Sequence, residues 1–232
     1  MKKIIVLMLT LALCMAAFAS CGLFKKTEEA NPLADVAKMY NQSAPTKIVA
    51  TTKHTISSLE LNAKYELVTG YVDDKPASVY TVTTEELESV ENGGATDIKK
   101  PHIKTTTKTT EAIEGIGSRT NGGDWNTQGS VYTIGRGGMA LNLDKASVTN
   151  VNYTDNVLTF TVPQANAAIV LGSDYAANIA SDVQVTIVND GAVVTYVELH
   201  YSLAGNPANN LPQSEMVVKV EYTYDLEKIT IS

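Results

Sequence analysis

From Val183 to Tyr224 apolar and polar residues alternate with a period of two. Val183, Val185 and Ile187 run into Asn189-Asp190-Gly191. Val193, Thr195, Val197, Leu199, Tyr201 and Leu203 follow, and after residues 205–212 the pattern returns as Met216, Val218, Val220, Tyr222 and Tyr224. Successive side chains of a strand point to opposite faces, so this spacing puts each set on one side of a sheet. Asn, Asp and Gly tolerate the positive φ of a tight turn. The pattern predicts a three-strand antiparallel meander with one buried face. Asp225 to Lys228 then predicts a turn into a last short strand, Ile229 to Ser232.

The same period occurs earlier. Leu59, Leu61, Ala63, Tyr65 and Leu67 alternate with Glu60, Asn62, Lys64 and Glu66. Lys47 to Ile56 is the expected antiparallel neighbour. Val72-Asp73-Asp74-Lys75-Pro76 predicts a turn and Ala77 to Thr83 a strand. The Thr-rich run Lys104 to Thr110 suits an edge strand, since Thr favours strands and Lys blunts edges. Ala146 to Tyr153 and Val157 to Val162 flank Asp155-Asn156, a hairpin signal. Residues 85–138 otherwise read as strands broken by long loops, with Trp125 among them.

Two segments change to helical spacing. Asn31-Pro32 predicts a helix start, because Asn caps and Pro suits the first helical position. Leu33, Val36, Ala37 and Tyr40 form its apolar stripe, and Ser43-Ala44-Pro45 ends it. From Gln164 to Ser181 the residues Ala165, Ala168, Ile169, Gly172, Ala176 and Ile179 share one expected helix face.

The first twenty residues have a different character. Met1-Lys2-Lys3 precedes an apolar run, Ile4 to Ala19, broken by Thr10, and Phe18-Ala19-Ser20 leads into Cys21. A run this short, with a small-residue end, reads as an export signal rather than a membrane span. Ala19-Ser20-Cys21 resembles the lipobox of bacterial lipoproteins. The resemblance implies a diacylglyceryl group on Cys21 and cleavage before it. An ordinary secretory signal cut after Ala19 or Ser20 is the alternative. Two acyl chains suffice for durable anchoring where one gives marginal affinity. Removing Lys2 and Lys3 leaves 16 basic against 25 acidic residues, a charge of −9. Such a chain does not track a phosphate backbone, so nucleic acid is not an expected partner. Cys14 leaves with the signal, and a single remaining cysteine forms no internal disulfide.

The expected organisation is a signal peptide over 1–20, a tether over 21–30 and one α+β domain over 31–232. The element order, and a C-terminal run of Val-Lys-Val-Glu-Tyr-Thr-Tyr-Asp, resemble the LolA/LppX-like family of exported proteins. That resemblance implies a large curved antiparallel sheet, a half-barrel, with an N-terminal helix and a late inserted helix covering one face. A lipocalin-like barrel and a two-sheet sandwich read similarly.

Chemical motifs are sparse. His54, His102 and His200 have no partner at metal-ligand spacing. Glu198 and His200 share the outer face of one strand, which fits either an acid/base fragment or an exposed polar surface. Gly135-Arg136-Gly137-Gly138 has the makings of an anion nest without the helix that normally follows one. The acids among Glu85 to Glu91 read as a solvated face. No metal, no cofactor and no catalytic constellation is expected.

Two functional readings follow. In the first, a membrane-anchored, non-catalytic envelope protein binds a lipid or other apolar ligand between the curved sheet and the late helix. The family resemblance implies that cavity. Its candidate face is Val197, Leu199, Tyr201, Val218, Val220 and Tyr222, covered by Ala168, Ile169 and Gly172. In the second, the core is fully packed and the protein is an interaction module for an envelope protein partner, with contacts in the loops of 85–138.

Overall fold

The computed structural model describes residues 31–42, 44–87, 102–133, 143, 147–171, 178–205, 212–225 and 229–231. The expected leader and tether, Cys21, the Gly135–Gly138 run and Gly172 lie outside the described residues.

Helix α1, Pro32–Gln42, buries Leu33, Val36 and Tyr40. Their spacing keeps one stripe on the core. The Asp35 N–H donates to the Asn31 carbonyl at 3.0 Å. The Asn31 side-chain oxygen has no partner among the described residues, so the expected side-chain cap is not formed. Asp35, an acid in the first turn, complements the helix dipole instead.

Ten strands follow: β1 (Lys47–Ile56), β2 (Leu59–Val72), β3 (Lys75–Leu87), β4 (Ile103–Ile113), β5 (Gly117–Thr120), β6 (Thr149–Thr154), β7 (Val157–Val162), β8 (Val183–Asn189), β9 (Val194–Leu203) and β10 (Ser214–Thr223). They form one open, curved antiparallel sheet in the order β5-β4-β3-β2-β1-β10-β9-β8-β7-β6. Two meanders of five strands are joined where the first strand meets the last. Every other neighbour in the sheet is also a neighbour in sequence, as short connections favour. The architecture is therefore the curved open sheet, not a closed barrel or a two-sheet sandwich.

The expected hairpins form at their expected turns. Asp73 and Asp74 take φ of 48° and 62°, and Asp155 and Asn156 take 51° and 65°. Two consecutive positive φ values are what a two-residue hairpin turn needs to match strand twist. At the β8–β9 turn Asp190 Oδ1 accepts from the N–H groups of Ala192 and Val193 at 2.8 and 2.9 Å. The Thr-rich strand is longer than expected and is not at the edge throughout. Short β5 pairs with Thr110 to Ile113, because the turn at Gly115 folds the chain straight back.

Three further expectations need correcting. The alternation of β9 shifts by one residue near its start. Val194 is fully buried, as are Val197 and Leu199, and the ladder with β8 is irregular at Val188/Asn189. A bulge of this kind changes which face a side chain meets. The late helix is also much shorter than Gln164 to Ser181. A 3-10 turn, Gln164–Asn166, leads into α2, Ala167–Leu171, and Ile179 already forms a β-bridge with Leu203. The tighter 3-10 turn alters the helical phase. Ala167 and Val170 are therefore buried, whereas Ala165, Ala168 and Ile169 are exposed. Finally, Ile229 to Ile231 is not a strand. Ile229 joins Ala77 and Ile113 in a small cluster that Val68, Val72, Val79, Trp125 and Ile231 border. Arg119 lies over the Trp125 ring at 5.0 Å.

The main core lies on the α1 side of the sheet, here called the inner face. It is one continuous cluster running from Leu33 and Val36 across β1, β2 and β7 to β10. Each fully buried Val or Leu there contributes roughly 1.5–3 kcal/mol relative to exposure.

Candidate functional site

The six strand residues of the expected ligand face come together on the inner face. Val197, Leu199 and Val218 are fully buried, and Val220, Tyr201 and Tyr222 nearly so. Register pairs Val197 with Val220, Leu199 with Val218, and Tyr201 with Met216. α1 lies over this half of the sheet, touching β7 and β9, and Tyr40 bonds to Tyr222 through their hydroxyls at 3.1 Å. The expected helix residues are not with them: Ala168 and Ile169 face away from the core.

The other half of the inner face, on β1 to β3, is chemically different. It carries buried polar atoms. Thr52 Oγ1 and the hydroxyls of Tyr65 and Tyr80 are buried and have no hydrogen-bond partner among the described residues. Thr52 and Tyr65 are 2% and 4% exposed. Register sets Tyr65 diagonal to Thr52 on one side and to Tyr80 on the other, while Thr52 and Tyr80 lie two strands apart: Thr52 pairs with Ala63, Tyr65 with Ala50 and Val82, and Leu67 with Tyr80. The ring of Tyr132 packs at 5.3 Å from that of Tyr80, tilted by 51°. The Tyr132 N–H donates to Ser78 Oγ at 2.9 Å, which fixes this loop residue to β3.

Burial pushes the Tyr65 phenol up to about 12. Burial, with smaller contributions from Tyr65 and Tyr132, pushes Tyr80 well above its ordinary value. Both stay protonated and serve as neutral donors at any physiological pH. An unsatisfied buried hydroxyl costs about 1–3 kcal/mol. This cluster is therefore a place on the inner face where the described residues leave buried hydroxyls without partners. Sequence reasoning missed it. Its signal was present: Thr52 and His54 share strand parity with the apolar Ile48, Ala50 and Ile56, and a polar residue at a core position is the informative exception.

His54 itself is satisfied. Its Nε2 lies 2.7 Å from Ser214 Oγ in a buried pair. Burial lowers its pKa from the ordinary histidine value.

The outer face carries the charges. Lys53, Asn62, Lys64, Glu85, His200 and Lys219 line a groove of about 490 Å³ there. Each ammonium already has a carboxylate: Lys53 meets Glu60, Lys64 meets Glu66 at 2.9 Å, and Lys219 is 3.9 Å from Glu198. Asn62 donates to Glu85 through both its backbone and side-chain nitrogens. Glu198 also contacts His200 and Tyr196. Partial burial raises the Glu198 pKa, but the hydrogen bonds from Tyr196 and His200, helped by Lys219, hold it below the ordinary value. Lys53–Glu60 and Lys219–Glu198 pair across strands and Lys64–Glu66 and Glu198–His200 along one strand, on the outer sheet face. Among the described residues no three His, Cys, Asp or Glu side chains gather to hold a metal.

No protein-family model matches this chain, and no curated protein matches it. Three solved structures are similar over most of its length. LprF from Mycobacterium bovis is 14% identical, with 86% of this chain and 93% of that chain covered and a TM-score of 0.35. Rv2717c from M. tuberculosis is 12% identical, covering 84% and 99%, with a TM-score of 0.29. A DUF1329 family protein from Desulfovibrio piger is 7% identical, covering 85% and 93%, with a TM-score of 0.27.

Proposed function

We propose that this protein is a non-catalytic lipoprotein of the cell envelope, anchored through Cys21, that holds a lipid or another apolar ligand against the inner face of its sheet. The leader Met1 to Ser20 and its Ala19-Ser20-Cys21 ending support export and lipidation. The ligand part rests on one observation. Thr52, Tyr65 and Tyr80 bury hydroxyls that no described residue satisfies, among mostly apolar neighbours on β1 to β3. In this reading the β1–β3 half of the inner face joins the Val197–Tyr222 half as candidate ligand surface. Apolar pockets with a few convergent polar groups are how proteins hold such molecules.

Two measurements test this reading. The native protein carries the mass of a diacylglyceryl group at its N-terminus and has lost residues 1–20, and Cys21→Ala abolishes the added mass and leaves the leader uncleaved. A native chain without the acyl mass, or a Cys21→Ala chain that is still cut before residue 21, ends the lipoprotein reading. Native mass spectrometry of the purified full chain finds co-purified lipid; protein that carries none and takes up none ends the ligand reading.

The second reading, an interaction module, is favoured by the continuity of the core, which takes in both halves of the inner face. Val197, Leu199 and Val218 lie in a continuous core, which leaves loops as the binding surface.

A further inference from the structure

The sheet ends in an open edge. β4 pairs with β5 only from Thr110 to Ile113. Asn121 extends that pairing by one residue: the Thr109 N–H donates to Asn121 Oδ1 and the Thr109 carbonyl accepts from the Asn121 N–H, both at 2.8 Å. Backbone groups alternate sides along a strand, so the N–H and C=O groups of Ile103, Thr105 and Thr107 point the same way as those of Thr109. None of them has a partner on that side among the described residues, and Ile103 to Lys108 are all exposed. We infer that this edge takes up an extended acidic segment of another protein as an additional, antiparallel strand. The inference is independent of any ligand on the inner face.

Charge selects the partner. Lys104 and Lys108 lie on the same face of β4, where register sets them opposite Glu86 and Val82. A second copy of the chain fits this edge poorly. Antiparallel self-pairing centred on Thr106 sets Lys104 against Lys108 twice, and pairing centred on Thr105 sets Lys108 against His102. Like charges directly opposite destabilise a ladder, and lysines on an edge act as a barrier to it. An incoming strand with carboxylates at the two matching positions turns the same lysines into attractions. The spacing of Lys104 and Lys108 sets its pattern: two acidic residues four apart, with a neutral one midway opposite Thr106. An apolar residue just past the second acid meets Ile103, which is 44% exposed. In strand addition the main-chain bonds supply affinity and the alternate side chains specificity. The opposite edge of the sheet is less suited. Asn150 has a φ of 54°, and the β6–β7 register slips between Thr149 and Asn152, an irregularity that interrupts pairing.

The experiment uses two fluorescein-labelled peptides, Glu-Thr-Val-Thr-Glu-Val-Thr and its counterpart Lys-Thr-Val-Thr-Lys-Val-Thr. Each is titrated with the full chain in nanodiscs and followed by fluorescence anisotropy, with empty nanodiscs as the blank. The acidic peptide is expected to bind at least ~10-fold more tightly than the basic one, since two charge pairs change sign between them. Thr105→Pro removes an N–H that faces away from β3, a position where an edge strand tolerates proline. It is expected to weaken acidic-peptide binding ~10-fold or more while the melting temperature moves by no more than about 4 °C. Lys104→Gln/Lys108→Gln keeps the backbone edge and is expected to bring the two peptides to within about 2-fold of each other. Equal affinity of the wild type for both peptides, a folded Thr105→Pro protein that binds unchanged, or a Gln double variant that keeps the preference overturns the inference. Absence of binding by either peptide overturns it too, and leaves Lys104 and Lys108 only as guards of the edge.

Discussion

Tyr40 on α1 and Tyr222 on β10 are 182 residues apart and meet through their hydroxyls at 3.1 Å, with their rings edge-to-face at a centroid distance of 6.0 Å. This contact fastens the first element of the domain to its last strand. Tyr40→Ala should destabilise the domain by about 3–5 kcal/mol, as loss of a buried aromatic ring does. Tyr40→Phe should cost only about 1 kcal/mol, and adding Tyr222→Phe should recover part of it, because no orphaned hydroxyl then remains. Urea unfolding of the three variants checks this order.

Below neutral pH, His54 becomes a liability. Its folded pKa lies below the unfolded value of 6.5, so the unfolded chain binds the extra proton first. The stability linked to His54 is therefore complete above pH 6.5 and declines as pH falls below it, at no more than about 1.4 kcal/mol per pH unit for one proton. Urea midpoints between pH 7.5 and 5.5 should drop for wild type. His54→Gln should flatten that slope even if it lowers stability throughout. An equal slope in the variant would assign the effect to another group.

Gly117 opens β5 at a φ of 121°, and a Cβ there would sit 2.1 Å from the backbone oxygen of Asn126. Neither strand can give way, since Ser118 and Asn126 form a bridge with bonds of 3.0 and 2.7 Å. Gly117→Ala should release β5 and the Trp125 loop. The expected readout is a red-shifted, more quenchable fluorescence from Trp125 with a loss of about 2 kcal/mol or more.

α2 offers a paired test of which residues face inward. Ala168 is exposed and Ala167 fully buried. Ala168→Trp should leave the melting temperature within about a degree or two, as surface changes do. Ala167→Trp overpacks the core and should cost about 1–3 kcal/mol or more. A destabilising Ala168→Trp would restore the helix phase read from the sequence.

The sequence by itself determined the local structure wherever one periodicity and one turn chemistry agreed. The alternation of Leu59 to Leu67 and of Met216 to Tyr222 defined their buried faces, and Asp73-Asp74 and Asp155-Asn156 placed their hairpins. α1 was legible from Leu33, Val36 and Tyr40. The leader ending at Cys21 was read from sequence and lies outside the described residues. The tertiary structure decided what depends on distant partners. Which strand lies beside β1 is a long-range pairing, and Lys47 to Thr55 matches β10 as well as β2. The phase of α2 depends on a 3-10 turn that no periodicity announces. Ile229 reads like any strand residue until Ala77 and Ile113 supply its neighbours. The unmatched hydroxyls of Thr52, Tyr65 and Tyr80 became visible last. Whether a buried hydroxyl is satisfied depends on every group around it, and those groups come from separate strands and are brought together only by the fold.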